Sequence, residues 1–445
     1  MSRLFGTDGV RGTAGRYPLD PDTVTRLGGA LVRALAPDGR ALRLLVGRDT
    51  RESGPWIERA LARGAGSHGA RLTSAGVIPT PAVSYLTTSL GFDAGLVISA
   101  SHNPFEDNGV KVFSSAGEKL PDDTERAIEA LVADPGWPTP DRPAPDLAVA
   151  DFSDAYLQHL RSSLPDPGRL GRLRIAIDTA NGATSAVAPR LFGDLGFDVT
   201  VLHDRPDGRN INVRCGSTHP AELAAAVAAG GRRVGVAFDG DGDRAIFVDH
   251  EGRLVDGDAV LLLCARQLKA AGRLSNDVVV ATVMSNIGLE LALREHGIRL
   301  ARCPVGDKYV REEMASQGAA IGGEQSGHII FSDYLSTGDG LLTAMQVLRV
   351  MAETGLELAD LARALVAYPQ VLVNVRVREK RAVEEIPAVR DAMERVAREL
   401  EGRGRLLIRY SGTEPLLRIM IEGPDQQAIQ TLADEIAERV RQSLG

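Results

Sequence analysis

Three stretches of the chain share one pattern of apolar and polar positions. A continuous apolar run is followed by a polar turn containing glycine, a helix-like stretch, a further glycine and a second short apolar run. The three stretches begin at Leu44, Arg174 and Val278, and the glycines before the second runs are Gly69, Gly196 and Gly297. This order is typical of a βαβ unit in a buried, mostly parallel sheet. The repeat predicts three similar α/β domains, although any α/β protein can show this rhythm by chance.

The last part of the chain has a different pattern. Residues Val371–Val377 alternate as in a strand, and a charged helix follows to about Glu401. Two further predicted strands, Leu406–Arg409 and Leu416–Ile421, precede a final helix that begins at Asp425. This succession predicts a separate α+β domain.

A proline-rich segment from Asp134 to Asp146 divides the first part of the chain. Proline neither continues a helix nor fits a central strand, so we interpret the segment as a linker or surface loop that closes a first domain. Its prolines are Pro135, Pro138, Pro140, Pro143 and Pro145. The predicted domains span residues 1–150, 151–253, 254–368 and 369–445.

Composition narrows the classes of partner. Aromatic residues make up 4% of the 445 residues and the formal net charge is −8, so no nucleic-acid partner is expected. No run of ~18 apolar residues is present to span a membrane, and the N-terminus lacks the apolar core of a signal peptide. The cysteines, Cys215, Cys264 and Cys303, are far apart and form no C-x-x-C pair. They indicate reduced thiols in a cytoplasmic protein, with neither a disulfide framework nor a zinc site.

Three aspartates alternate with two glycines between two apolar runs. They are Asp239, Asp241 and Asp243. The glycines let the backbone turn so that all three carboxylates face one point, where they repel one another unless a hard cation neutralises them. An EF-hand calcium loop needs Gly at its sixth position and Glu at its twelfth, and Arg244 and His250 stand there instead. The alternative interpretation is an acidic surface turn.

Two serines end the predicted strand at Val97–Ile98. Ser99 and Ser101 are spaced by two and share a face, so geometry alone does not choose between them. Pro104 ends regular structure soon afterwards, which puts Ser101 at the tip of the turn, where α/β active sites form. The commoner role of such a serine is a helix cap or a turn.

Two residues near these serines suit phosphate chemistry. His102 adjoins Ser101 and can orient or polarise the site. Lys111 follows in the same segment and can neutralise a phosphate.

The segment Arg409–Pro415, with Arg418 beyond it, predicts an anion cradle. Small hydroxyl residues and glycine in a tight turn offer successive backbone N–H groups, and the arginines add bidentate contacts. A plain β-turn between two strands is the alternative.

The segment Gly322–His328 places Glu324, Ser326 and His328 at alternate positions among glycines. In a strand-like segment these three side chains point the same way and can grip neighbouring sugar hydroxyls. A glycine-rich loop with incidental polar residues is the alternative.

Together these segments resemble the α-D-phosphohexomutase superfamily. The matching motifs occur in order along the whole chain: residues 5–12 at the N-terminus, 99–104 (serine loop), 239–244 (metal loop), 323–328 (sugar loop) and 409–415 (phosphate loop). The N-terminal motif from Leu4, Gln325 and residues 412–415 are similar to the members that act on glucosamine phosphate. The resemblance implies three related α/β domains with mixed sheets around a central cleft plus a C-terminal α+β domain.

The resemblance also implies a role for each matching residue. Ser101 is similar to the active-site phosphoserine. The implied metal ligands are Ser101, through its phosphate, and Asp239, Asp241 and Asp243. The implied proton-transfer and charge-stabilising residues are Arg11, His102, Lys111 and His328. The implied substrate-binding residues are Asp307 and Lys308 for sugar orientation, Glu324 and Ser326 for hydroxyls, and Arg409, Ser411, Gly412, Thr413 and Arg418 for the non-reacting phosphate.

The implied activity is an isomerase that moves a phosphate between the 6- and 1-positions of glucosamine. It implies one Mg²⁺ per chain, and glucosamine 1,6-bisphosphate or a related sugar bisphosphate as intermediate and activator. The product of such an enzyme feeds UDP-N-acetylglucosamine and cell-wall synthesis. The expected partner is a small sugar phosphate, and a homodimer is left open. Two alternatives stand: a glucose or mannose phosphomutase with side activity on glucosamine, and a non-catalytic sugar-phosphate-binding protein.

Overall fold

The structure is a computed structural model, and it describes residues 4–6, 8–137, 147–231, 233–411 and 414–445. The chain forms two compact units. The first comprises Met1–Met284 and Ile298–Ala364, and the second comprises Ser285–Gly297 and Leu365–Gly445.

The first unit contains a mixed seven-stranded sheet. Its strands are β1 (Phe5–Gly6), β2 (Gly9–Thr13), β3 (Arg43–Arg48), β4 (Arg71–Val77), β5 (Ala94–Ile98), β6 (Asp107–Ser114) and β7 (Ala148–Val149), in the order β1-β2-β6-β5-β3-β4-β7. The pairs β5-β3, β3-β4 and β4-β7 are parallel, whereas β1-β2, β2-β6 and β6-β5 are antiparallel. The helices of this part are α1 (Pro21–Leu35), α2 (Gly54–Ser67), α3 (Thr80–Ser89) and α4 (Asp122–Ala133).

A second mixed sheet has five strands. They are β8 (Arg174–Asp178), β9 (Asp198–Leu202), β10 (Val234–Phe238), β11 (Ala245–Asp249) and β12 (Leu254–Val255), in the order β12-β11-β10-β8-β9. The accompanying helices are α5 (Ser153–Ser162), α6 (Val187–Asp194) and α7 (Ala221–Gly230).

A third mixed sheet has four strands. They are β13 (Val278–Thr282), β14 (Arg299–Cys303), β15 (Ile321–Gly323) and β16 (Ile329–Phe331), in the order β14-β13-β15-β16. The helices in this part of the chain are α8 (Gly257–Ala270), α9 (Ile287–Glu295), α10 (Asp307–Gln317), α11 (Gly340–Thr354) and α12 (Leu358–Ala362), of which α9 belongs to the second unit. Short 3₁₀ helices lie at Pro167–Leu170, Ser275–Asp277 and Val383–Glu385.

The second unit holds an antiparallel three-stranded sheet with two further helices. Its elements are β17 (Gln370–Arg376), α13 (Pro387–Leu400), β18 (Arg405–Tyr410), β19 (Leu416–Glu422) and α14 (Gln426–Leu444), with strand order β17-β19-β18. Apolar residues of the sheet and both helices form one buried core. The predicted α+β organisation of this part is confirmed.

The repeated pattern corresponds to three parallel strand pairs, each with a helix between the strands in the chain. The pairs are β3-β4, β8-β9 and β13-β14. Three α/β domains with mixed sheets are therefore confirmed. The domain boundaries at residues 150, 253 and 368 stay predictions.

The central strands β5, β10 and β13 are buried at every position. Helices on both faces of a sheet require such continuous apolar strands. The serine loop follows β5 and the metal loop follows β10, so both loops start from rigid, buried strands.

The proline-rich segment is described only in part. Pro135 lies in a turn, whereas Pro138, Pro140, Pro143 and Pro145 fall outside the described residues. Among the described residues, no helix combines the length and apolar character needed to cross a membrane.

Candidate active site

Ser101 occupies a strained turn just after β5. Its backbone is in the left-handed region at φ 51°, which costs a non-glycine residue about 1–3 kcal/mol. The N–H of Ser101 donates to Oγ of Ser99 at 2.9 Å, and that hydroxyl donates to Oδ2 of Asp49 at 2.6 Å. Ser99 therefore uses its hydroxyl to support the turn.

The hydroxyl of Ser101 faces the aspartate loop. Its Oγ donates to Oδ2 of Asp239 at 2.6 Å and lies 3.3 Å from Nδ1 of His102. Burial, followed by the charges of Arg244 and Arg11, lowers the pKa of His102. The ring is therefore neutral at neutral pH and can accept a proton from the hydroxyl.

Two residues that sequence reasoning missed form hydrogen bonds to the main chain of the serine turn. Nη2 of Arg51 donates to the main-chain oxygens of Ser101 and Asn103, both at 2.9 Å. Nδ2 of Asn212 donates to the same two oxygens at 2.9 and 3.2 Å. Arg51 is fully buried and paired with Asp49 at 2.9 Å, so the guanidinium is fixed. We call Arg51 and Asn212 the carbonyl clamp.

The three aspartates lie in the turn between β10 and β11. They are Asp239, Asp241 and Asp243; all are buried, and one carboxylate oxygen of each lies within 4.8 Å of the others. A side chain at Gly240 would place its Cβ 2.5 Å from the main-chain oxygen of Ser101. Glycine is therefore needed there for the metal loop to approach the serine turn.

Lys111 holds two of these carboxylates by one oxygen each. Its Nζ lies 2.9 Å from Oδ2 of Asp241 and 3.4 Å from Oδ2 of Asp243, and 3.1 Å from Oδ2 of Asp8. The Oδ1 atoms of Asp241 and Asp243 are buried and accept no hydrogen bond from the described residues. Buried anionic oxygens without donors, in an all-oxygen cluster, fit a Mg²⁺ ion.

The charges of the cluster are unevenly compensated. Burial raises the pKa of Asp239 well above its usual range, and the charges of Asp243 and Asp241 add to this effect. Burial acts the same way on Asp243, but Lys111 and His328 outweigh it and hold that pKa well below its usual range. Asp239, which contacts the serine, is thus the carboxylate most in need of a cation.

The sugar loop is not a strand throughout, so the same-side arrangement that was considered for its alternating polar residues is wrong. Residues 324–328 form the turn of a hairpin in which Gly323 of β15 pairs with Ile329 of β16. The reversal depends on Gly327, whose φ is 92°. Ser326 is exposed and donates to Oε2 of Glu324 at 3.3 Å, whereas His328 is buried.

His328 connects this hairpin to the aspartate cluster. Its Nδ1 lies 3.6 Å from Oδ2 of Asp243, and its Nε2 accepts the N–H of Gly338 at 3.1 Å. Burial lowers the pKa of His328, and the Asp243 carboxylate outweighs it to give a raised value. The Gly338 hydrogen bond nevertheless requires an unprotonated Nε2, so this arrangement favours a neutral ring with its proton on Nδ1.

A cavity of about 430 Å³ opens beside His328, a size that suits a small ligand. Its lining includes Lys119, Asp307, Lys308 and His328. Lys119, which sequence reasoning missed, bridges Asp8 and Asp307 at 2.7 Å each and so links the first and third sheets' loops. Lys308 pairs with Asp122 across the same cavity wall.

Arg11 stands on β2, opposite Gly109 of β6. It pairs with Asp8, and Asp8 also contacts Lys111 at 3.1 Å. Burial raises the pKa of Asp8, but Lys111 and Lys119 outweigh it and hold the pKa well below the usual range. Arg11 therefore joins the same charge network as the aspartate cluster.

The residues predicted to hold the second phosphate lie in the second unit. Arg409 of β18 lies directly opposite Arg418 of β19 in the strand register, so two like charges are neighbours on the sheet. Nη2 of Arg418 lies 3.5 Å from Oγ of Ser411, and Lys380 donates to the main-chain oxygen of Ser411 at 2.6 Å. Arg418 also pairs with Glu414 at 3.3 Å, and a bound phosphate would compete with that carboxylate. Gly412 and Thr413 lie outside the described residues.

Sequence reasoning predicted no role for two charged residues of the site, although both lie within the family motifs. Asp8 belongs to the N-terminal motif and Arg244 ends the metal loop. The N–H of Arg244 donates to Oδ1 of Asp239 at 3.2 Å. Their positions next to predicted site residues in the sequence could have indicated that they belong to the site.

Comparison with known proteins identifies the family. Residues 2–137, 154–252 and 256–368 match the models of phosphoglucomutase/phosphomannomutase alpha/beta/alpha domains I, II and III, and residues 372–439 match its C-terminal domain. A phosphoglucosamine mutase from Solibacter usitatus (strain Ellin6076) is 51% identical over 445 residues, which cover 99% of this chain and 99% of that protein. The chain belongs to the phosphoglucosamine mutase family.

Solved structures show how widely the fold of this phosphoglucosamine mutase family member is shared. A phosphoglucomutase/phosphomannomutase family protein from Burkholderia thailandensis superposes with a TM-score of 0.82 at 24% identity, covering 100% of this chain and 99% of that one. An N-acetylphosphoglucosamine mutase from Aspergillus fumigatus, in complex with GlcNAc-6P and magnesium, gives a TM-score of 0.68 at 18% identity, covering 99% and 96%. The four-domain phosphohexomutase architecture is therefore the fold of this chain.

Proposed function

We propose that this chain is an isomerase that interconverts glucosamine 6-phosphate and glucosamine 1-phosphate, with a phosphate carried on Ser101 and a sugar bisphosphate as intermediate. The observation that carries the proposal is the position of the Ser101 hydroxyl, 2.6 Å from Asp239 at the edge of a buried three-aspartate cluster. The choice of glucosamine rests on the phosphoglucosamine mutases that resemble this chain over nearly its whole length.

A phosphate on Ser101 brings about −1.5 to −2 charges next to Asp239. Asp239, Asp241, Asp243 and the phosphate oxygen of Ser101 would hold a Mg²⁺ ion, which supplies charge neutralisation for phosphoryl transfer. Lys111 keeps Asp241 and Asp243 oriented by binding one oxygen of each. Lys111 and Arg11 add positive charge from the side of the first sheet.

The transfer itself exchanges one P–O bond for another. A sugar hydroxyl attacks the phosphorus of phosphoserine 101, the serine–phosphorus bond breaks, and the sugar becomes bisphosphorylated. The intermediate turns end over end, and its other phosphate returns to Ser101. The proton of the attacking hydroxyl passes through neutral His102, 3.3 Å from Oγ, to the serine oxygen as the serine–phosphorus bond breaks, and it returns the same way when the phosphate is transferred back. His328 stabilises charge beside Asp243.

The remaining assigned residues hold the sugar. Substrate contacts are proposed for Asp307 and Lys308 beside the cavity, for Glu324 and Ser326 on the hairpin turn, and for Arg409, Ser411, Gly412, Thr413 and Arg418 at the second phosphate. Positioning and charge neutralisation account for most of the catalysis in such reactions.

A coupled assay on the 6-phosphates of glucosamine, glucose and mannose tests the function. We expect kcat/KM to be highest for glucosamine 6-phosphate, and a higher value for glucose or mannose would assign the chain to the alternative. Ser101→Ala should lose nearly all activity, while Ser99→Ala, which removes a support of the turn, should lose less. Peptide mass spectrometry should place the phosphate on Ser101; phosphate on Ser99, or full activity in Ser101→Ala, would contradict the proposal.

Three further expectations accompany the proposal. They are a cytoplasmic location, the possibility of a homodimer, and a product that supplies UDP-N-acetylglucosamine and cell-wall synthesis. All three stay predictions.

A further inference from the structure

Three metal-binding side chains of different chemistry meet at one end of the second sheet, outside the aspartate cluster. They are Asp178, His203 and Cys215, and one donor atom of each lies within 4.8 Å of the other two. Asp178 ends β8 and His203 directly follows β9, the parallel neighbour of β8 in the sheet. The loop after β9 then brings Cys215 back to these two strand ends.

The backbone of His203 is held in an uncommon conformation. Its φ of 52° lies in the left-handed region, where residues other than glycine are rare. Its main-chain oxygen accepts the N–H of Asn181 at 2.7 Å and the hydroxyl of Thr179 at 2.6 Å. These bonds fix the strained backbone, and the ring is thereby directed at Asp178.

The imidazole of His203 lies between two carboxylates. Its Nδ1 is 3.2 Å from Oδ2 of Asp178, and its Nε2 is 3.3 Å from Oε2 of Glu222. Nδ1 is buried and has no hydrogen-bond partner among the described residues. A neutral ring has one proton for its two nitrogens, so one nitrogen faces a carboxylate with its lone pair. A metal cation bound to that nitrogen would stabilise the arrangement.

The other two donors are buried and held in place. The carboxylate of Asp178 accepts the N–H groups of Ala180 and Gly216, both at 2.9 Å, which leaves further lone pairs on its oxygens. Burial, followed by the charges of Asp178 and Glu222, raises the pKa of Cys215 to about 12. Without a cation the cysteine is therefore a neutral thiol, and a bound metal would displace its proton.

We propose that Asp178, His203 and Cys215 bind a divalent cation of the zinc class at a site separate from the three aspartates. Thiolate and imidazole donors with one carboxylate suit zinc and its neighbours, whereas magnesium prefers oxygen alone. Binding forms a metal–sulfur bond and releases the thiol proton to solvent, with no change of oxidation state. Glu222 on the outer nitrogen of His203 matches the carboxylate–histidine–metal arrangement that orients metal-bound imidazoles. The site does not depend on the proposed function.

No zinc site was expected from the sequence, because Cys215 has no cysteine or histidine at the spacing of a zinc motif. The donors come instead from two strand ends, at Asp178 and His203, and from a returning loop, at Cys215. His203 lies 25 positions after Asp178, and Cys215 lies 37 positions after it. Such a site is visible only once the sheet register is known.

Cobalt(II) tests the proposal because thiolate ligation gives it an intense near-ultraviolet charge-transfer band. The full chain is stripped with chelator, given excess Mg²⁺ to occupy the aspartate cluster, and titrated with Co²⁺. We expect a band that saturates at one cobalt per chain and that Zn²⁺ abolishes. Cys215→Ser should lose the band, and the matched control Cys264→Ser, in buried α8, should keep it.

A second variant protects the test against a misfolded serine variant. His203→Gly retains the thiol, suits the positive φ, and should weaken cobalt binding by more than about tenfold. Absence of the band in the wild type, its persistence in Cys215→Ser, or unchanged affinity in His203→Gly would each overturn the proposal.

Discussion

The guanidinium of Arg51 donates to the main-chain oxygen of Ser101 at 2.9 Å, and Asn212 donates to that same oxygen from the loop after β9. Both groups therefore bind the main chain of Ser101, whose backbone is strained. Because strained residues persist only where their surroundings fix them, the carbonyl clamp sets where the serine hydroxyl points.

We predict that Asn212→Gly lowers kcat by tenfold to about a hundredfold with little change in KM, since it removes the amide donor while suiting the positive φ at this position. Steady-state kinetics on glucosamine 6-phosphate measure the effect. Asn276→Gly is the matched control, because Asn276 also has a positive φ and donates to a main-chain oxygen, that of Gln317. Equal kcat values in the two variants would show that the clamp does not position Ser101.

We predict that Mg²⁺ stabilises the folded chain and that Asp241→Asn removes most of this effect together with most activity. The Oδ1 atoms of Asp241 and Asp243, which accept no hydrogen bond from the described residues, would contact the ion, and ligand at a hundred times its Kd adds about 2.7 kcal/mol. Thermal unfolding with Mg²⁺, and with NaCl at the same ionic strength, measures it. Asp277→Asn, an exposed aspartate paired with Lys269, is the control. Full activity in excess chelator would rule out the metal.

We predict that Arg409→Ala raises KM for both sugar phosphates by roughly tenfold to a hundredfold, corresponding to a charge-assisted contact of about 1.5–3 kcal/mol. Arg409 and Arg418 lie opposite each other on neighbouring strands, so a phosphate bound there can contact two guanidinium groups. Inorganic phosphate should accordingly raise the Tm of the wild type and raise it less in the variant. Arg441→Ala, which changes an exposed side chain of α14, should behave as wild type. Normal KM values in Arg409→Ala would mean that the phosphate is held elsewhere.

We predict that Asp339 makes the chain less stable as pH rises from about 4 to about 7. Asp339 caps α11 and accepts the hydroxyl of Tyr156 at 2.8 Å, and burial raises its pKa to about 7. The folded state thus holds a proton that the unfolded state releases near its ordinary value, ~3.9. Stability falls across that window and is level above it.

Asp339→Asn keeps the cap and removes the titration. Its free energy of unfolding, relative to the wild type, should rise between about pH 5 and pH 8 by at most ~3 kcal/mol. Urea unfolding of both proteins in chelator measures the difference. A gap that is the same at both pH values would contradict the prediction.

The sequence predicted those parts of the site that are local in the chain. The three aspartates and their glycines lie within five residues, and the strands around them are continuous apolar runs, so both the turn and its chemistry were readable. The βαβ unit from Arg174 to Leu202 was readable for the same reason.

Contacts between distant residues were not readable in this way. Lys119 meets Asp307 across 188 positions and Asn212 meets Ser101 across 111, and no periodicity encodes such pairs. The turn at Glu324–His328 was considered as a strand because alternation of polar residues does not reveal that Gly327 reverses the chain. The position of Pro104 and the family resemblance selected Ser101 over Ser99 before the structure was known, and the structure adds that the left-handed turn separates the two hydroxyls.

The second unit is assembled from two separate lengths of chain, with α9 packed against the C-terminal segment. Asn286 donates to the main-chain oxygen of Tyr368 at 3.0 Å, and the N–H of Ile287 donates to buried Glu422 at 3.2 Å. The C-terminal domain is therefore not a detachable module. Exchange of residues 369–445 alone between two relatives would bring a foreign partner to Glu422 and Asn286, so a functional chimera must carry residues 285–297 and 365–445 from the same parent.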